Sequence, residues 1–488
     1  MLAVPDRSRL AIFLLTLGCV VLPAAVAWMA PAAAVAAAEV VAEALRYEAA
    51  AYVLDVTFTP AARSLSGRAE ITLANPAAAL DTLTFYLHGE LLCDAVACGG
   101  RDLAFRQDPV FYGAEYSHLA RRVQVPVADT DLGRGLQVRW HGEVNRSAAR
   151  SPSDYMHIGT DGVFLRALYY SFWFPVFVPS RAQPETVDFT RVVLRTPREL
   201  VPVFTGELVD ERVEGDQRVS TWTSPRTTLV RAQCTARPYR VLADGGVRVY
   251  HLDDPASTAG ARRILDFARR LRAFYQAHYR RGVAAGQLHV AQLCPYGDIS
   301  SGNMIGLAED DWQAFAEASY PGRTLAHELV HAYVFVPTDE SDATYALMCE
   351  GFPSYLHLPG LAALLGEDWY DDILDGIAAS YLEKRRTGKT RRGDDLPPGR
   401  PLLELTAADI GTYKDVYILA DRARLFFDHL RRRLGPDGFL ALIGDLVNRD
   451  RLDREVLRDV VLAHAPDFAD AYHVWLETDD YPASLRRP

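Results

Sequence analysis

The chain has 488 residues, of which 49% are hydrophobic and 24% are charged, and its formal net charge is −11. This composition is typical of a globular protein with hydrophobic cores and two to four domains. The negative charge argues against a nucleic-acid partner, because phosphate backbones attract basic surfaces. Arginine supplies nearly all the basic residues, which together with abundant alanine suggests a bacterial source.

Residues 1–38 have the pattern of a targeting segment. Arg7 and Arg9 precede an uncharged stretch that begins with LAIFLLTLGCVVL and ends in small residues. A basic start, an apolar centre and a small-residue end are typical of a secretory signal peptide. The stretch is also long enough to cross a bilayer, so an uncleaved membrane anchor is the alternative. Either interpretation predicts an exported protein that is periplasmic, secreted or attached to a membrane.

Residues 39–250 predict an N-terminal all-β domain. Apolar and polar side chains alternate in GRAEITLAN, LTFYLH and RVVLRTP, and glycine and proline separate these short runs. Such a pattern is typical of a β-sandwich. Cys93 and Cys98 lie close together here, and in an exported protein they could pair as a disulfide.

Residues 251–488 predict a mainly helical domain. The stretch DDPASTAGARR carries residues typical of a helix start, and Ile264, Ala268, Leu271 and Tyr275 follow at helical spacing. One or two strands, such as GQLHVAQLC, are also predicted. The basic run at residues 384–401 predicts a solvated loop, with a partner-binding patch as the alternative.

The sequence RTLAHELVHAY, at residues 323–333, carries a pair of histidines at metal-binding spacing. His327 and His331 are four residues apart, so a helix places both imidazoles on one face. Glu328 lies about 100° further round the helix, where it can take a proton without being a ligand. The alternative is two half-buried histidines beside a solvent-facing glutamate. Apolar neighbours favour the metal site, because buried histidines need partners.

Glu350 is a candidate third ligand. A catalytic zinc ion uses three protein ligands and keeps one position open. Glu350 lies in SDATYALMCEGFPSYL, which predicts a helix with Ser341 as its cap. A short connection from the histidine helix would bring this carboxylate beside the imidazoles. A charged residue on a helix surface is the ordinary alternative.

HExxH, followed after eighteen residues by the glutamate of EGFPSY, resembles the gluzincin zinc aminopeptidases, the family of aminopeptidase N and leukotriene hydrolase. The β-rich stretch YVLDVTFTPAARSLSGRAEITLAN is similar to the N-terminal domain of that family. The resemblance implies an all-β sandwich-like domain followed by a mainly α thermolysin-like peptidase domain, without the family's C-terminal helical-repeat domain. It also implies one Zn²⁺ ion held by His327, His331 and Glu350, with Glu328 as the general base.

One departure concerns the substrate's amino group. The family's G-x-M-E-N stretch holds that group through its glutamate, and SSGNMIGLAED is the matching segment here. The match implies substrate binding by Gly302, Asn303 and Met304, whereas Ile305 occupies the acid position. An apolar side chain does not bind an ammonium group. Glu309 and Asp310 are the candidate substitutes.

A second departure concerns the tyrosine that stabilises the oxyanion in the family. An ungapped match through FFDHLRRRLG places Ala420 at that position. Tyr417, one turn earlier, is the first candidate and Tyr413 is the second. Ordinary packing at a helix start is the alternative for both.

These patterns predict a zinc metallopeptidase acting on peptides, first of all an aminopeptidase. A zinc hydrolase with endopeptidase-like cutting is the second hypothesis, because Ile305 removes the expected amine anchor. A non-catalytic binding protein of the same shape is the third.

Overall fold

The computed structural model describes residues 49–74, 81–112, 118–128, 130–144, 156–165, 172–177, 186–228, 232–279, 286–293, 299–317, 322–333, 344–390, 395–397, 399–406, 418–449 and 452–481. Within these ranges, no helix is long and apolar enough to cross a membrane. The predicted signal peptide or anchor lies outside the described residues.

The first half of the described chain consists of strands: β1 (Ala49–Thr59), β2 (Ser64–Leu73), β3 (Thr82–His88), β4 (Leu91–Cys98), β5 (Arg101–Leu103), β6 (Arg106–Tyr112), β7 (His118–Pro126), β8 (Leu136–Glu143), β9 (Met156–Gly159), β10 (Gly162–Leu165), β11 (Thr186–Pro197), β12 (Val201–Phe204), β13 (Glu207–Glu214), β14 (Gln217–Thr228) and β15 (Cys234–Arg237). They form an eight-stranded sheet in the order β13-β14-β11-β1-β2-β8-β4-β5, a four-stranded sheet β12-β15-β10-β9 and a three-stranded sheet β3-β7-β6.

Alternation of apolar and polar residues explains the core between these sheets. In β8 every second residue is buried, including Leu136, Val138 and Trp140, and the residues between them are exposed. Side chains on a strand point alternately to its two faces, so this period turns one face inward. Gly67 on β2 lets the Trp140 ring lie against the backbone, since a Cβ there would be 2.3 Å from the ring.

The suggested pairing of Cys93 and Cys98 is wrong. Both thiols are free and buried, and both residues lie on β4. A strand rises about 3.3 Å per residue, so five residues separate the two cysteines by far more than a disulfide spans. The Cys98 Sγ instead lies 3.3 Å from the carbonyl oxygen of Asp131.

The second half adds a smaller sheet and a set of helices. The strands are β16 (Arg240–Asp244), β17 (Val247–His251), β18 (Leu288–Gln292), β19 (Ile299–Ser301) and β20 (Met304–Leu307), in the order β16-β17-β18-β20-β19. The α-helices are α1 (Pro255–His278), α2 (Glu309–Glu317), α3 (Arg323–Tyr333), α4 (Phe352–Leu365), α5 (Glu367–Thr387), α6 (Ile418–Val447, broken at Gly435), α7 (Arg454–His464) and α8 (Ala469–Tyr472). Short π-helical turns cover Leu347–Gly351 and His473–Glu477, and 3₁₀ turns cover Pro60–Ala62, Leu132–Arg134, Leu402–Glu404 and Pro466–Phe468.

This arrangement, a β-rich first half and a mainly helical second half, confirms the predicted fold class. The predicted domain boundary at residue 250 stays a prediction. β16 and β17 belong to the second sheet, where β17 pairs in parallel with β18. Their alternating pattern looks the same in either sheet, so the sequence alone could not assign them.

The basic run at residues 384–401 is not wholly a solvated loop. Its first four residues complete α5, and Lys384 is only 5% exposed. The Lys384 Nζ lies 2.7 Å from a carboxylate oxygen of Asp421 on α6. This buried ion pair joins the two helices.

The two halves meet at a joint around Gly206. The Asn303 side chain donates to the carbonyl oxygens of Gly206 and Gln287, at 2.8 and 2.7 Å, and accepts from the Gly206 N–H at 2.7 Å. The His289 Nε2 lies 3.0 Å from the same Gly206 oxygen. These bonds fix the smaller sheet, which carries α3 on its flank, against the β region.

Candidate metal centre

Helix α3 presents one apolar face and one polar face. Leu325, Ala326, Leu329 and Val330 are buried, and the residues between them are half-buried. The apolar face packs in the second hydrophobic core, where the Tyr275 hydroxyl of α1 donates to the Ala326 carbonyl at 3.2 Å. This packing fixes which side chains turn toward α4.

The two imidazoles of α3 converge. The Nε2 atoms of His327 and His331 are 3.1 Å apart, and the ring planes stand at 86° to each other. Two ligands at tetrahedral positions about 2 Å from a zinc ion lie roughly 3.3 Å apart. The imidazole pair therefore has the spacing that a shared ion requires.

Glu350 completes a group of three ligand atoms. Its Oε2 lies 4.0 Å from the His327 Nε2, and the ligand atoms of His327, His331 and Glu350 all lie within 4.8 Å of one another. Two imidazole nitrogens and one carboxylate oxygen are a donor set that zinc prefers. The residues present therefore fit the metal that the sequence predicted.

A π-helical turn carries Glu350. The Phe352 N–H bonds to the Leu347 carbonyl, five residues earlier, and Pro353 follows at the start of α4. Proline has no N–H to donate, and Pro353 lies in the first turn of α4, where proline is tolerated. A Cβ on Gly351 would lie 2.8 Å from the Ala423 Cβ of α6. Only glycine lets α6 support the Glu350 turn this closely.

Glu328 follows His327 directly on α3 and is half-buried. Its carboxylate is not one of the three converging ligand atoms. Glu328 is therefore next to a ligand in the sequence without belonging to the donor set.

His357 is a neighbour of the centre that the sequence did not point out. It lies on α4, is 2% exposed, and its ring stands at 83° to that of His327 with the centroids 5.7 Å apart. Its Nδ1 lies 3.2 Å from the Pro353 carbonyl, whereas its buried Nε2 has no hydrogen-bond partner among the residues that the structure describes. Burial, then the charges of Arg424, His327 and Arg323, hold the pKa of His357 well below its usual range. The imidazole is therefore neutral.

The predicted substrate-binding segment is turned into the interior. Asn303 is 3% exposed and bonded across the joint, and Met304 is fully buried in the first core. Ile305 is fully buried in the second core, on the opposite face of β20. The side chains of Asn303 and Met304 therefore have little surface for a ligand, and the assignment of Gly302, Asn303 and Met304 to substrate binding stays a prediction. Gly302 forms the turn between β19 and β20 with a φ of 59°.

The two candidate replacements for the glutamate that binds the substrate's amino group lie on the next helix, α2. Glu309 and Asp310 are on the exposed first turn of α2, and Glu309 accepts hydrogen bonds of 3.3 Å from Gln292. Tyr413 and Tyr417 lie outside the described residues, so the choice of tyrosine stays a prediction. Ala420 is buried in the first turn of α6.

Comparison with known proteins gives the following result. No protein-family model and no curated protein matches the sequence. Among solved structures, yeast LTA4 hydrolase in complex with bestatin matches with a TM-score of 0.64 and 15% identity, over 91% of this chain and 69% of the other. An M1 zinc metallopeptidase mutant from Deinococcus radiodurans bound to a Tyr-Ser-Ala substrate matches with a TM-score of 0.63 and 17% identity, over 89% and 95%. The chain thus has the fold of these proteins, which confirms the predicted resemblance at the level of the fold.

Proposed function

We propose that this protein is a zinc-dependent peptidase. The observation that carries the proposal is the convergence of the ligand atoms of His327, His331 and Glu350. Glu328 follows His327 directly on the same helix. The shared fold with M1 zinc metallopeptidases supports it. The uncharged N-terminal segment further supports export, so the proposed substrates are peptides outside the cytoplasm.

Each residue of the centre has a task in this proposal. A zinc ion held there supplies Lewis-acid chemistry at the scissile carbonyl and acidifies water. The imidazoles and the Glu350 carboxylate hold the ion in place. Glu328 removes a proton from the attacking water and delivers it to the leaving amine. The reaction adds water across a peptide bond and needs no other reactant.

The next point is whether the substrate must have a free N-terminal amine. An aminopeptidase is the expectation from the resemblance, and an acid near the cleavage position would have to hold the ammonium group. Ile305 is buried in the core. In this proposal Glu328 is the general base and Glu350 is a metal ligand, so neither is assigned to the ammonium group. This favours the second candidate, a zinc peptidase that also cleaves peptides with a blocked N-terminus.

A peptide assay tests the function and separates the two specificities. Free and N-acetylated forms of one fluorogenic peptide are incubated with the purified chain, with and without a zinc chelator. Hydrolysis that the chelator abolishes and zinc restores supports the peptidase. Cleavage of the free form alone indicates an aminopeptidase, whereas cleavage of both forms indicates the broader enzyme. No hydrolysis by zinc-loaded protein would leave a non-catalytic binding protein as the better account.

A further inference from the structure

The segment that carries Glu350 is in contact with the first two turns of helix α6. A Cβ on Gly351 would lie 2.8 Å from the Ala423 Cβ, so these two residues are packed closely together. The next residue of α6 is Arg424, whose Nε donates to the Ser354 carbonyl at 2.9 Å. Ser354 follows Glu350 by four residues, which is about one helical turn. Helix α6 therefore holds this segment at two points, once by packing and once by a charged hydrogen bond.

The orientation of Arg424 is fixed by a buried chain of charges. Its Nη1 donates to the Asp421 Oδ1, one turn earlier on α6, at 3.2 Å. The Asp421 Oδ2 accepts from the Lys384 Nζ of α5 at 2.7 Å. The side chains of Lys384, Asp421 and Arg424 are only 6%, 7% and 12% exposed, so water and salt screen their attraction weakly. Three helices, α5, α6 and α4, are thus joined through one guanidinium group.

Stability alone is a poor explanation for charged groups at this place. Removing charges from water costs free energy that their mutual attraction only partly offsets, and apolar side chains of similar size often pack at least as well. A hydrogen bond adds what apolar packing does not, a defined distance and angle between donor and acceptor. A metal ligand has to be held within about 0.5 Å of its working position. The bond from Arg424 to Ser354, one turn from Glu350, supplies such a constraint.

We propose that Arg424 is a positioning residue of the metal centre. Oriented by Asp421 and Lys384, it holds the start of α4 so that the Glu350 carboxylate stays close to the imidazole of His327. Arg424 is not one of the converging ligand residues, so it acts through the main chain of the Glu350 segment. The inference rests on the proposed function and adds to it residues that lie outside the two helices of the zinc motif.

Two measurements on the full-length Arg424→Gln variant test the inference without turnover. Competition with a chromogenic chelator measures the zinc affinity, which should fall about 10- to 100-fold, the effect typical of residues that support metal ligands. The visible absorption of the Co²⁺-loaded chain depends on the number and geometry of the ligands, and it should change because Glu350 is displaced. Arg424→Lys keeps a charged donor and should retain part of the affinity.

Arg121→Gln is the matched control, because this half-buried arginine of β7 also donates to main-chain carbonyl oxygens, those of Gly89 and Leu91. It should keep the zinc affinity and the Co²⁺ absorption of the wild type. Thermal unfolding of the metal-free proteins shows how much stability each variant loses. If Arg424→Gln does not fold, Asp421→Asn decides by the same two measurements, since asparagine keeps the volume but not the charge that orients the guanidinium.

Wild-type zinc affinity and an unchanged Co²⁺ absorption in Arg424→Gln, or in Asp421→Asn where that variant decides, overturn the inference. A loss of affinity that Arg121→Gln shares at the same loss of stability also overturns it, because the effect would then follow stability alone. Hydrolysis by the wild-type chain is scored separately. A wild-type chain that binds zinc through this arrangement but cleaves no peptide contradicts the proposed function alone.

Discussion

His327 and Glu328 are adjacent in sequence but have different tasks because an α-helix turns by about 100° per residue. The histidine faces α4, where His331 and Glu350 meet it. The glutamate lies about 100° further round the helix and is not part of the donor set. The same geometry puts Arg323 in line with the histidines, one turn before the first of them.

Replacing Glu328 with glutamine should leave metal binding unchanged and lower kcat by about 10²- to 10⁴-fold, because glutamine cannot accept the proton of water. Zinc content and kcat are measured on the same preparation. Glu317→Gln, an exposed glutamate on α2, is the matched control. A variant with full activity would rule out Glu328 as the base.

The sequence predicted these residues of the centre and missed others for a physical reason. The HExxH motif predicts the arrangement of its side chains, because a helix fixes the distance between His327 and His331. His357 carries no such signal, since its position depends on how α4 packs against α3. Only the tertiary structure shows that its ring lies against that of His327.

At the scale of elements, the position of Glu350 depends on the π-helical turn at Leu347–Gly351 and on its contact with α6. The sequence predicted a helix here but not its wider turn, because a period of 3.6 residues does not reveal one extra residue. It likewise missed the burial of Lys384, whose partner Asp421 lies 37 residues away.

Gly351→Ala should weaken zinc binding. The added Cβ would meet Ala423 at 2.8 Å and Leu347 at 3.1 Å, so the turn carrying Glu350 must shift. We expect a loss of about 10- to 100-fold in zinc affinity, the effect typical of residues that support metal ligands. Competition with a chromogenic chelator measures it.

Gly376→Ala is the matched control, because that glycine lies within α5 and a Cβ there meets nothing within 4 Å. This control should keep its zinc affinity and gain slightly in stability, since alanine favours a helix. Equal zinc affinity in the two variants would show that Glu350 does not depend on the close contact with α6.

At the scale of the whole molecule, two hydrophobic cores meet at the joint around Gly206. The alternating and helical patterns predicted both halves and their order. They could not predict the joint, because Asn303 and His289 bond to Gly206 over more than 80 residues of sequence.

The contacts around Gly206 should make the free energy of unfolding decrease at acidic pH. Burial and the charge of Arg248 lower the pKa of His289 to about 3, although its bond to Gly206 favours the charged form. Below a pH of about 6.5 the unfolded chain takes up the proton first. The stability from the neutral imidazole is therefore complete above that pH and is lost as the pH falls toward 3.

Urea unfolding at pH 7.5 and pH 5 measures this effect. The wild-type chain should lose up to about 1.4 kcal/mol per pH unit through this one group. His289→Gln keeps a donor for the Gly206 oxygen but does not titrate, so its stability should fall less between the two pH values. The same loss in both proteins would mean that the pKa of His289 in the folded chain is not lowered.

The central claim is that His327, His331 and Glu350 hold one zinc ion. Equilibrium dialysis of the purified chain against zinc, followed by elemental analysis, tests it most directly. We predict one tightly held zinc ion per wild-type chain and loss of that ion in Glu350→Ala and in His331→Ala, with the fold retained. A wild-type chain that binds no zinc, or variants that bind it as well as the wild type, would contradict the account.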